Sequence, residues 1–293
     1  MTDRVVLRAG QLEVHLLPQV GGSIARFDFT DGTQRQPLMR GIDLDNVGPL
    51  DVGCFPLVPF ANRIRCGAFE FQGRTIRLAP NMLPDPSPLH GQGWLHPWQL
   101  TDRKSASAEL RYVHAADEWP WQYEACQRFA LDDAGLSIVL ECLNLADEPM
   151  PCALGLHPYH DCDSVTVLDA NVATVWTVDA AVLPLEQQPA TGRYDLRERH
   201  ICGQALDNGF GGWNGVADIR WAKGSKGLRL SAADAAFFQV YSPESGGYFA
   251  AEPVQNANAA LNAPEQEWAG LGIGVLDPGE TRRLTVRYDL IAD

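Results

Sequence analysis

The 293-residue sequence lacks several features that would assign it to a specialised class of protein. No window of a dozen residues shows a convincing 3.6-residue hydrophobic period, so we expect helix to be a minor component. No apolar run approaches the roughly 20 residues that a helix needs to cross a membrane. Lys and Arg form no cluster against a formal net charge of −14, so neither nucleic acid nor an anionic membrane is an expected partner.

Cysteine is scarce and shows no pairing pattern. The seven cysteines are Cys54, Cys66, Cys126, Cys142, Cys152, Cys162 and Cys202. Their number is odd, no Cys-x-x-Cys pair occurs, and most have apolar neighbours, so we predict buried free thiols rather than a disulfide framework or a zinc site. Free thiols indicate a reducing compartment, and residues 1–8 carry charges where a signal peptide needs an apolar segment. We therefore expect a cytoplasmic protein.

The sequence does contain a hydrophobic period of two from end to end. Apolar residues alternate with polar ones in many short runs, and 20 prolines and 27 glycines punctuate the chain. The predicted strands cover residues 12–16, 27–29, 136–145, 165–178, 228–231, 237–241 and 284–290. Residues 69–78 read as a hairpin that turns at Gly73, because glycine tolerates positive φ. The pattern is typical of an all-β sandwich or barrel, and we expect one domain over residues 1–293.

Four separated stretches combine side chains that could act in catalysis or binding with residues typical of tight turns. They are residues 55–64 (FPLVPFANRI), 90–94 (HGQGW), 155–160 (GLHPYH) and 249–254 (FAAEPV). His157 precedes a proline, which favours extended geometry, so we place it at the end of a strand or in a bend. Its imidazole can act as an acid near neutral pH. Glu252 also precedes a proline, and a carboxylate at the end of an apolar strand is costly unless it is paired.

Each of these residues also has a plainer interpretation. Arg63 could form a surface ion pair, His90 could be a turn residue, and His157 could pack against Tyr159. Tryptophans are more often core residues than sugar platforms, and this applies to Trp94, Trp98, Trp119 and Trp121.

Five motifs together resemble the aldose 1-epimerase (galactose mutarotase) family. They are FPLVPFANRI at 55–64, LHGQGW at 89–94, GLHPYH at 155–160, LDNGF at 206–210 and AEPV at 251–254, in the family's order and over nearly the whole chain. The resemblance implies a large antiparallel β-sandwich with little helix. It also implies an enzyme that interconverts the α and β anomers of a free aldose by general acid–base ring opening. No metal and no cofactor would be needed, and a monomer and a homodimer are both open.

The resemblance also implies roles for residues of this chain. His157 would be the general acid and Glu252 the general base. The residues that would bind or support the sugar are Asn62, Arg63, His90 and Asp207. Because the reference pKa values of glutamate and histidine differ by about two units, we expect an ionised glutamate and a partly charged histidine near neutrality. Proximity should raise the pKa of the histidine and lower that of the glutamate.

Three residues depart from the family pattern close to the inferred site, and they bear on the identity of the sugar more than on the chemistry. They are His160, Gln255 and Asn256. A hexose-6-phosphate mutarotase is the nearest alternative, but such relatives tend to carry an arginine just after the His-Gly motif, where this chain has Gln92.

Two other classes of protein stay open. A non-catalytic carbohydrate-binding protein would use the same aromatic and polar side chains without an acid and a base at one carbon. A metalloprotein would use His90, His96, His157, His160 and Asp161. In a strand, however, His157 and His160 would point to opposite faces.

Overall fold

The computed structural model describes residues 4–41, 47–222 and 225–291, and in these residues the chain is built almost entirely of β-strands. The first twelve strands are Val5–Ala9 (β1), Leu12–Leu17 (β2), Ser23–Asp31 (β3), Gln34–Met39 (β4), Cys54–Leu57 (β5), Ala68–Phe71 (β6), Arg74–Arg77 (β7), Gln99–Arg103 (β8), Ser107–His114 (β9), Tyr123–Leu131 (β10), Gly135–Asn144 (β11) and Met150–Cys152 (β12). The other twelve are Gly155–Asp161 (β13), Val167–Ala170 (β14), Thr174–Val178 (β15), Pro184–Pro189 (β16), Arg199–His200 (β17), Leu206–Gly211 (β18), Val216–Arg220 (β19), Gly227–Ser231 (β20), Phe237–Ser242 (β21), Tyr248–Val254 (β22), Gly274–Leu276 (β23) and Thr281–Ile291 (β24).

Helix is confined, within the described residues, to five three-residue 3-10 turns. They are Arg65–Gly67, Gly93–Leu95, Gly192–Tyr194, Ala260–Asn262 and Glu265–Glu267. In the same residues no helix combines the length and the apolar character that spanning a membrane requires. The first three residues, part of the N-terminal segment that argued against a signal peptide, lie outside the described residues.

Two large antiparallel sheets form the body of the protein. The 11-stranded sheet has the order β1-β2-β3-β5-β13-β22-β21-β18-β15-β16, with β4 paired to β3, and the nine-stranded sheet has the order β17-β14-β19-β20-β24-β11-β10-β9-β8. Side chains of both sheets enter one buried hydrophobic cluster, such as Phe27 and Phe238 from the first sheet and Leu140 and Val286 from the second. The prediction of a large antiparallel β-sandwich with little helix is confirmed. The prediction of one domain stays a prediction.

Most of the predicted strands are present, and one of them is divided. The hairpin forms from β6 and β7, and its two turn residues, Gln72 and Gly73, have φ of 48° and 74°. The run predicted over residues 165–178 is two strands in different sheets, because β14 pairs with β19 in the smaller sheet and β15 pairs with β18 in the larger one. The four tryptophans discussed above are buried, as the core interpretation predicted.

Strand β13 lies in the middle of the larger sheet, between β5 and β22. His157 and Pro158 are its third and fourth residues, so the prediction that His157 ends a strand or lies in a bend is wrong. The strand passes through the proline because Pro158 falls in a stretch where β13 makes no ladder pairs with β22. The ladder with β5 continues on the other side and includes Pro158.

The cysteine prediction is wrong for three of the seven residues. Cys162 and Cys202 form a disulfide, with Cα atoms 5.6 Å apart, and Cys66 is exposed. The fold brings the end of β13 beside the segment that precedes β18, and this proximity across 40 residues leaves no trace in local sequence. Disulfides are uncommon in reducing compartments, so the pair also weakens the argument from cysteine to the cytoplasm. The remaining four cysteines are buried free thiols.

The disulfide predicts a simple labelling result. Protein purified in air, unfolded without reductant and treated with iodoacetamide should carry the label on its five free cysteines. After reduction all seven should be labelled, as intact mass spectrometry would show. In a Cys162→Ser variant, every remaining cysteine should react without reductant. Labelling of all seven cysteines before reduction would contradict the pairing.

Candidate active site

The centre of the site is set by the register of β13 against β22. The antiparallel pairs Gly155 with Val254 and Tyr159 with Ala250 place His157 directly opposite Glu252. Directly opposite residues project from the same face of a sheet with their Cβ atoms about 5 Å apart. The two functional groups accordingly meet, with His157 Nε2 3.3 Å from Glu252 Oε1.

Neighbouring strands extend this pair into a row across the sheet. His157 is paired with Phe55 of β5, and Glu252 is paired with Gln239 of β21. Gln239 is paired in turn with Gly209 of β18, where the absence of a side chain leaves room for the glutamine amide. Asp207, two residues before Gly209 and therefore on the same face, accepts a hydrogen bond of 2.9 Å from Gln239 Nε2.

Two loops bring further groups over this row. Asn62 and His90 both have left-handed backbone conformations, with φ of 65° and 63°. His90 N donates to Asn62 O at 3.0 Å, and Asn62 N donates to His90 Nδ1 at 3.2 Å. A backbone N–H can only donate, so His90 Nδ1 carries no proton and the neutral ring holds its proton on Nε2. Gly91 permits this close approach, since a Cβ there would lie 2.1 Å from Val58 O.

Arg63 reaches the site from the same loop as Asn62. Its Nε donates to Asp85 Oδ2 at 2.7 Å, and the two side chains are 13% and 14% exposed. The plainer interpretation of Arg63 as an ion-paired residue is right about the pairing, but the pair lies at the cavity and not on the open surface. Asp85 belongs to the proline-rich segment 80–88, so this loop positions a side chain that lines the cavity.

All six residues singled out in the sequence line one cavity of about 330 Å³. They are Asn62, Arg63, His90, His157, Asp207 and Glu252. A cavity of this size lies within the range of small-molecule sites. Polar atoms remain for a ligand, because Glu252 Oε2 and Gln239 Oε1 are buried and make no hydrogen bond with any residue that the structure describes.

Sequence reasoning missed five polar residues that line the same cavity. They are Arg40, Tyr159, Gln239, Tyr241 and Tyr248. The Arg40 guanidinium lies 4.1 Å from the ring centre of Tyr159 and 5.0 Å from that of Tyr248. Two of them had a sequence signal: Tyr159 lies inside the GLHPYH motif, and Gln239 is the one amide inside the apolar run Phe237-Phe238-Gln239-Val240-Tyr241.

The imidazole of His157 packs against two aromatic rings. It stacks on Phe55 with a centroid distance of 4.6 Å and an interplanar angle of 21°, and Tyr159 packs against it at 4.6 Å. Burial in this stack lowers the pKa of His157 to about 3, and the positive charges of Arg40 and Arg63 act in the same direction. The resting imidazole is therefore neutral near pH 7.

Burial acts on Glu252 in the opposite direction. It raises the pKa of Glu252 well above the usual range, the negative charge of Asp207 raises it further, and Arg63 opposes both effects. The expectation that proximity raises the pKa of the histidine and lowers that of the glutamate is therefore wrong. Burial opposes the charged form of each group, so it favours a neutral imidazole beside a protonated carboxyl group.

A metal centre is the alternative that the geometry tests most directly. One ligand atom each from His90, His157 and Glu252 lies within 4.8 Å of the others, so the cluster has suitable residue types. His90 does not fit, because a metal-binding histidine donates from its second nitrogen, whereas His90 Nδ1 accepts a hydrogen bond. The set proposed from sequence is also not assembled: His160 turns to Leu38 O, and His96 stacks on Tyr112.

The three departures from the family pattern do not line the cavity that the described residues form. His160 lies on the other face of β13 and packs against Phe249. Gln255 accepts from Leu154 N at 3.0 Å and from Arg282 Nε at 2.6 Å. Asn256 binds backbone groups of the loop that carries Arg63. None of the three side chains therefore reaches the cavity, although all three stand close to its residues in the sequence.

Comparisons with known proteins agree with this arrangement. The sequence profile of the aldose 1-epimerase family matches residues 3–289. The uncharacterized protein YphB of Escherichia coli (strain K12) is 31% identical over 299 residues, which cover 97% of this chain and 98% of YphB. A solved Escherichia coli K12 structure is similar at a TM-score of 0.88 and 28% identity, with 99% of both chains covered. The galactose 1-epimerase of Lactobacillus acidophilus NCFM, at a TM-score of 0.74 and 18% identity, covers 98% of this chain and 94% of its own, and it supports the fold alone.

The raised pKa of Glu252 predicts that this residue destabilises the fold at neutral pH. Below its unfolded pKa of about 4.5 the carboxyl is protonated in both states, whereas above it only the unfolded chain releases the proton readily. The free energy of unfolding of Glu252→Gln should therefore exceed that of the wild type by an amount that grows from pH 4.5 upward, by at most about 1.4 kcal/mol per pH unit. Urea unfolding between pH 4.5 and 8 measures this difference. A variant that is less stable than the wild type at pH 8 would contradict the prediction.

Proposed function

The chain belongs to the aldose 1-epimerase family, and we propose that it interconverts the α and β anomers of a free aldose by general acid–base ring opening. The observation that carries the proposal is the pair of His157 Nε2 and Glu252 Oε1, 3.3 Å apart at the floor of a sugar-sized cavity. A binding protein has no need of an acid and a base side by side, since hydrogen-bonding side chains and aromatic rings suffice to hold a sugar.

The reaction requires two proton transfers at one carbon. In the proposed mechanism the carboxylate of Glu252 takes the proton of the C1 hydroxyl, the bond from C1 to the ring oxygen breaks, and the imidazolium of His157 gives its proton to that oxygen. Rotation about the bond between C1 and C2 presents the other face of the aldehyde. The reverse transfers then close the ring as the other anomer, so that neither electrons nor protons are gained or lost overall.

The protonation state that burial favours fits this cycle. Ring opening converts carboxylate and imidazolium into carboxylic acid and neutral imidazole, which is the state that burial favours. The two states hold the same single proton and differ by its position across 3.3 Å. The pocket is therefore electrostatically suited to the open-chain aldehyde, and hydrogen bonds from the cyclic sugar must stabilise the charged form.

The remaining groups supply those hydrogen bonds. His90 presents a proton on Nε2 and Arg63 presents guanidinium N–H groups, and both can donate to the oxygen on which charge develops. Burial lowers the pKa of His90 well below its usual value, so His90 stays a neutral donor. Asp207 and the free Oε1 of Gln239 can accept from sugar hydroxyls. Asn62 holds His90 in place through its backbone.

Removal of the base tests the assignment of Glu252. Glutamine keeps the size and an acceptor oxygen but takes up no proton, so Glu252→Gln should slow mutarotation by about 10² to 10⁴-fold with little change in sugar affinity. His157→Asn should slow it comparably, and the double variant should lose less than the product of the two losses. Polarimetry on freshly dissolved α-glucose measures the rate, and tryptophan fluorescence measures binding, because Trp94 stacks on Phe55 beside His157.

Glu70→Gln is a suitable control, because Glu70 lies exposed on the hairpin and bonds only to Thr75 among the described side chains. It should keep the wild-type rate. Near-normal mutarotation by Glu252→Gln would show that another carboxylate is the base, with Asp207 the first to examine. Sugar binding without any acceleration by the wild type, across a panel of fresh anomers, would favour a non-catalytic carbohydrate-binding protein.

The charges of the cavity predict a preference for unphosphorylated sugars. The carboxyl group of Asp207 lines the cavity, and the charge of Arg63 is already paired with Asp85. The value of kcat/KM for glucose should therefore exceed that for glucose 6-phosphate. A clear preference for the phosphate would identify a hexose-6-phosphate mutarotase. In that case Arg40→Met should remove the preference, since Arg40 is the other arginine that lines the described cavity.

A further inference from the structure

The loop that carries Asn62 and Arg63 has almost no regular backbone pairing. Residues 61–65 follow β5 and lead into the first 3-10 turn, which begins at Arg65, and Arg63 makes only an isolated bridge with Leu89. Buried backbone groups need partners, and in an irregular loop these must come from side chains or water. For residues 61, 63 and 65 the partners are asparagine side chains from a single distant segment, residues 256–262.

Alternate residues of the loop meet successive asparagines of that segment. Asn256 binds both backbone groups of Ala61, with Ala61 N donating to Oδ1 at 3.2 Å and Nδ2 donating to Ala61 O at 2.9 Å. Arg63 N donates to Asn258 Oδ1 at 3.1 Å. Arg65 N donates to Asn262 Oδ1 at 2.7 Å. The asparagine amides thus replace a neighbouring strand.

The segment that holds the loop is continuous with the strand that carries Glu252. It begins two residues after the end of β22. Asn62 Nδ2 also donates to Asn256 O at 3.2 Å, and Asn62 binds His90 through two backbone contacts. A continuous set of hydrogen bonds therefore fixes Arg63 and His90 relative to Glu252.

Asn258 is the member of this set that binds the backbone of Arg63 itself. It is 9% exposed, and its Nδ2 donates to Val182 O at 2.7 Å, which fixes the amide with Oδ1 toward Arg63. We propose that Asn258 is a positioning residue that sets the place of the Arg63 side chain over the cavity. The proposal rests on the proposed function, in which Arg63 binds the sugar. Asn258 itself touches no reacting atom.

Loss of the Asn258 side chain should displace the loop that carries Arg63. Without Oδ1 the N–H of Arg63 loses its partner, and the loop relaxes to recover one. A displacement of about 1 Å at a binding group can cost roughly 10²-fold in rate. Because Arg63 keeps its ion pair with Asp85, we expect a smaller loss, on the order of tenfold in kcat/KM.

The experiment compares Asn258→Ala with the matched control Asn262→Ala, which removes the same kind of contact two residues farther along the loop. Asn258→Ala should lower kcat/KM for mutarotation about tenfold, and Asn262→Ala should leave it near the wild-type value. In an Arg63→Ala background, Asn258→Ala should cost little more, because the group that it positions is gone.

A rescue variant separates an effect on the position of Arg63 from an effect on the stability of the fold. Asn258→Asp keeps the acceptor for Arg63 N–H but loses the donor to Val182 O and brings a charge into a nearly buried site. Its melting temperature should fall below that of Asn258→Ala while its kcat/KM rises above it. A residue that only stabilised the fold would show activity and stability falling together.

Three outcomes would overturn the inference. Equal losses in Asn258→Ala and Asn262→Ala, or a full loss from Asn258→Ala in the Arg63→Ala background, would contradict it and leave the proposed function intact. Unchanged mutarotation in Arg63→Ala alone would show that Arg63 does not bind the sugar, which overturns both the inference and that part of the proposed function.

Discussion

The site depends on an interrupted ladder between two adjacent strands. In the register of β13 and β22, Pro158 lies opposite Ala251 and Pro253 lies opposite Leu156, so each proline removes a donor from the ladder. The strands stay side by side because each is still paired on its outer edge, β13 with β5 and β22 with β21. The interruption lies where the histidine and the glutamate face each other.

Burial then decides what this pair can do. The core of the sandwich packs the rings of Phe55 and Tyr159 against His157, which removes water from the imidazole and fixes its plane. Burial away from water also raises the pKa of Glu252. A neutral imidazole beside a protonated carboxyl group is therefore favoured over an imidazolium beside a carboxylate. Forming a carboxylate beside an imidazolium is therefore costly in this pocket, and in the proposed mechanism the hydrogen bonds of the bound sugar offset that cost. Holding two ionisable groups away from water lowers the free energy of unfolding.

Sequence reasoning succeeded where the information is local and failed where it depends on pairing between strands. The period of two predicts strands, and short motifs identify six residues that line one cavity. Gln239 and Arg40 were missed because each reaches the cavity through register with a partner far along the chain. The disulfide was missed for the same reason. The predicted pKa shifts of His157 and Glu252 had the wrong direction because reference pKa values take no account of burial, which only the packed structure reveals.

The segment from Tyr248 to Asn262 explains why polar residues follow Glu252 so closely in the chain. Its first half is a central strand of apolar residues that carries the glutamate, and its second half leaves the sheet with asparagines at positions 256, 258 and 262. Side-chain amides offer both a donor and an acceptor, so they can bind the backbone of an irregular loop as a strand would. A strand in that place would impose a regular shape on residues 61–65. Asparagines allow the loop to keep the left-handed turn at Asn62 that directs Arg63 and His90 to the same cavity as Glu252.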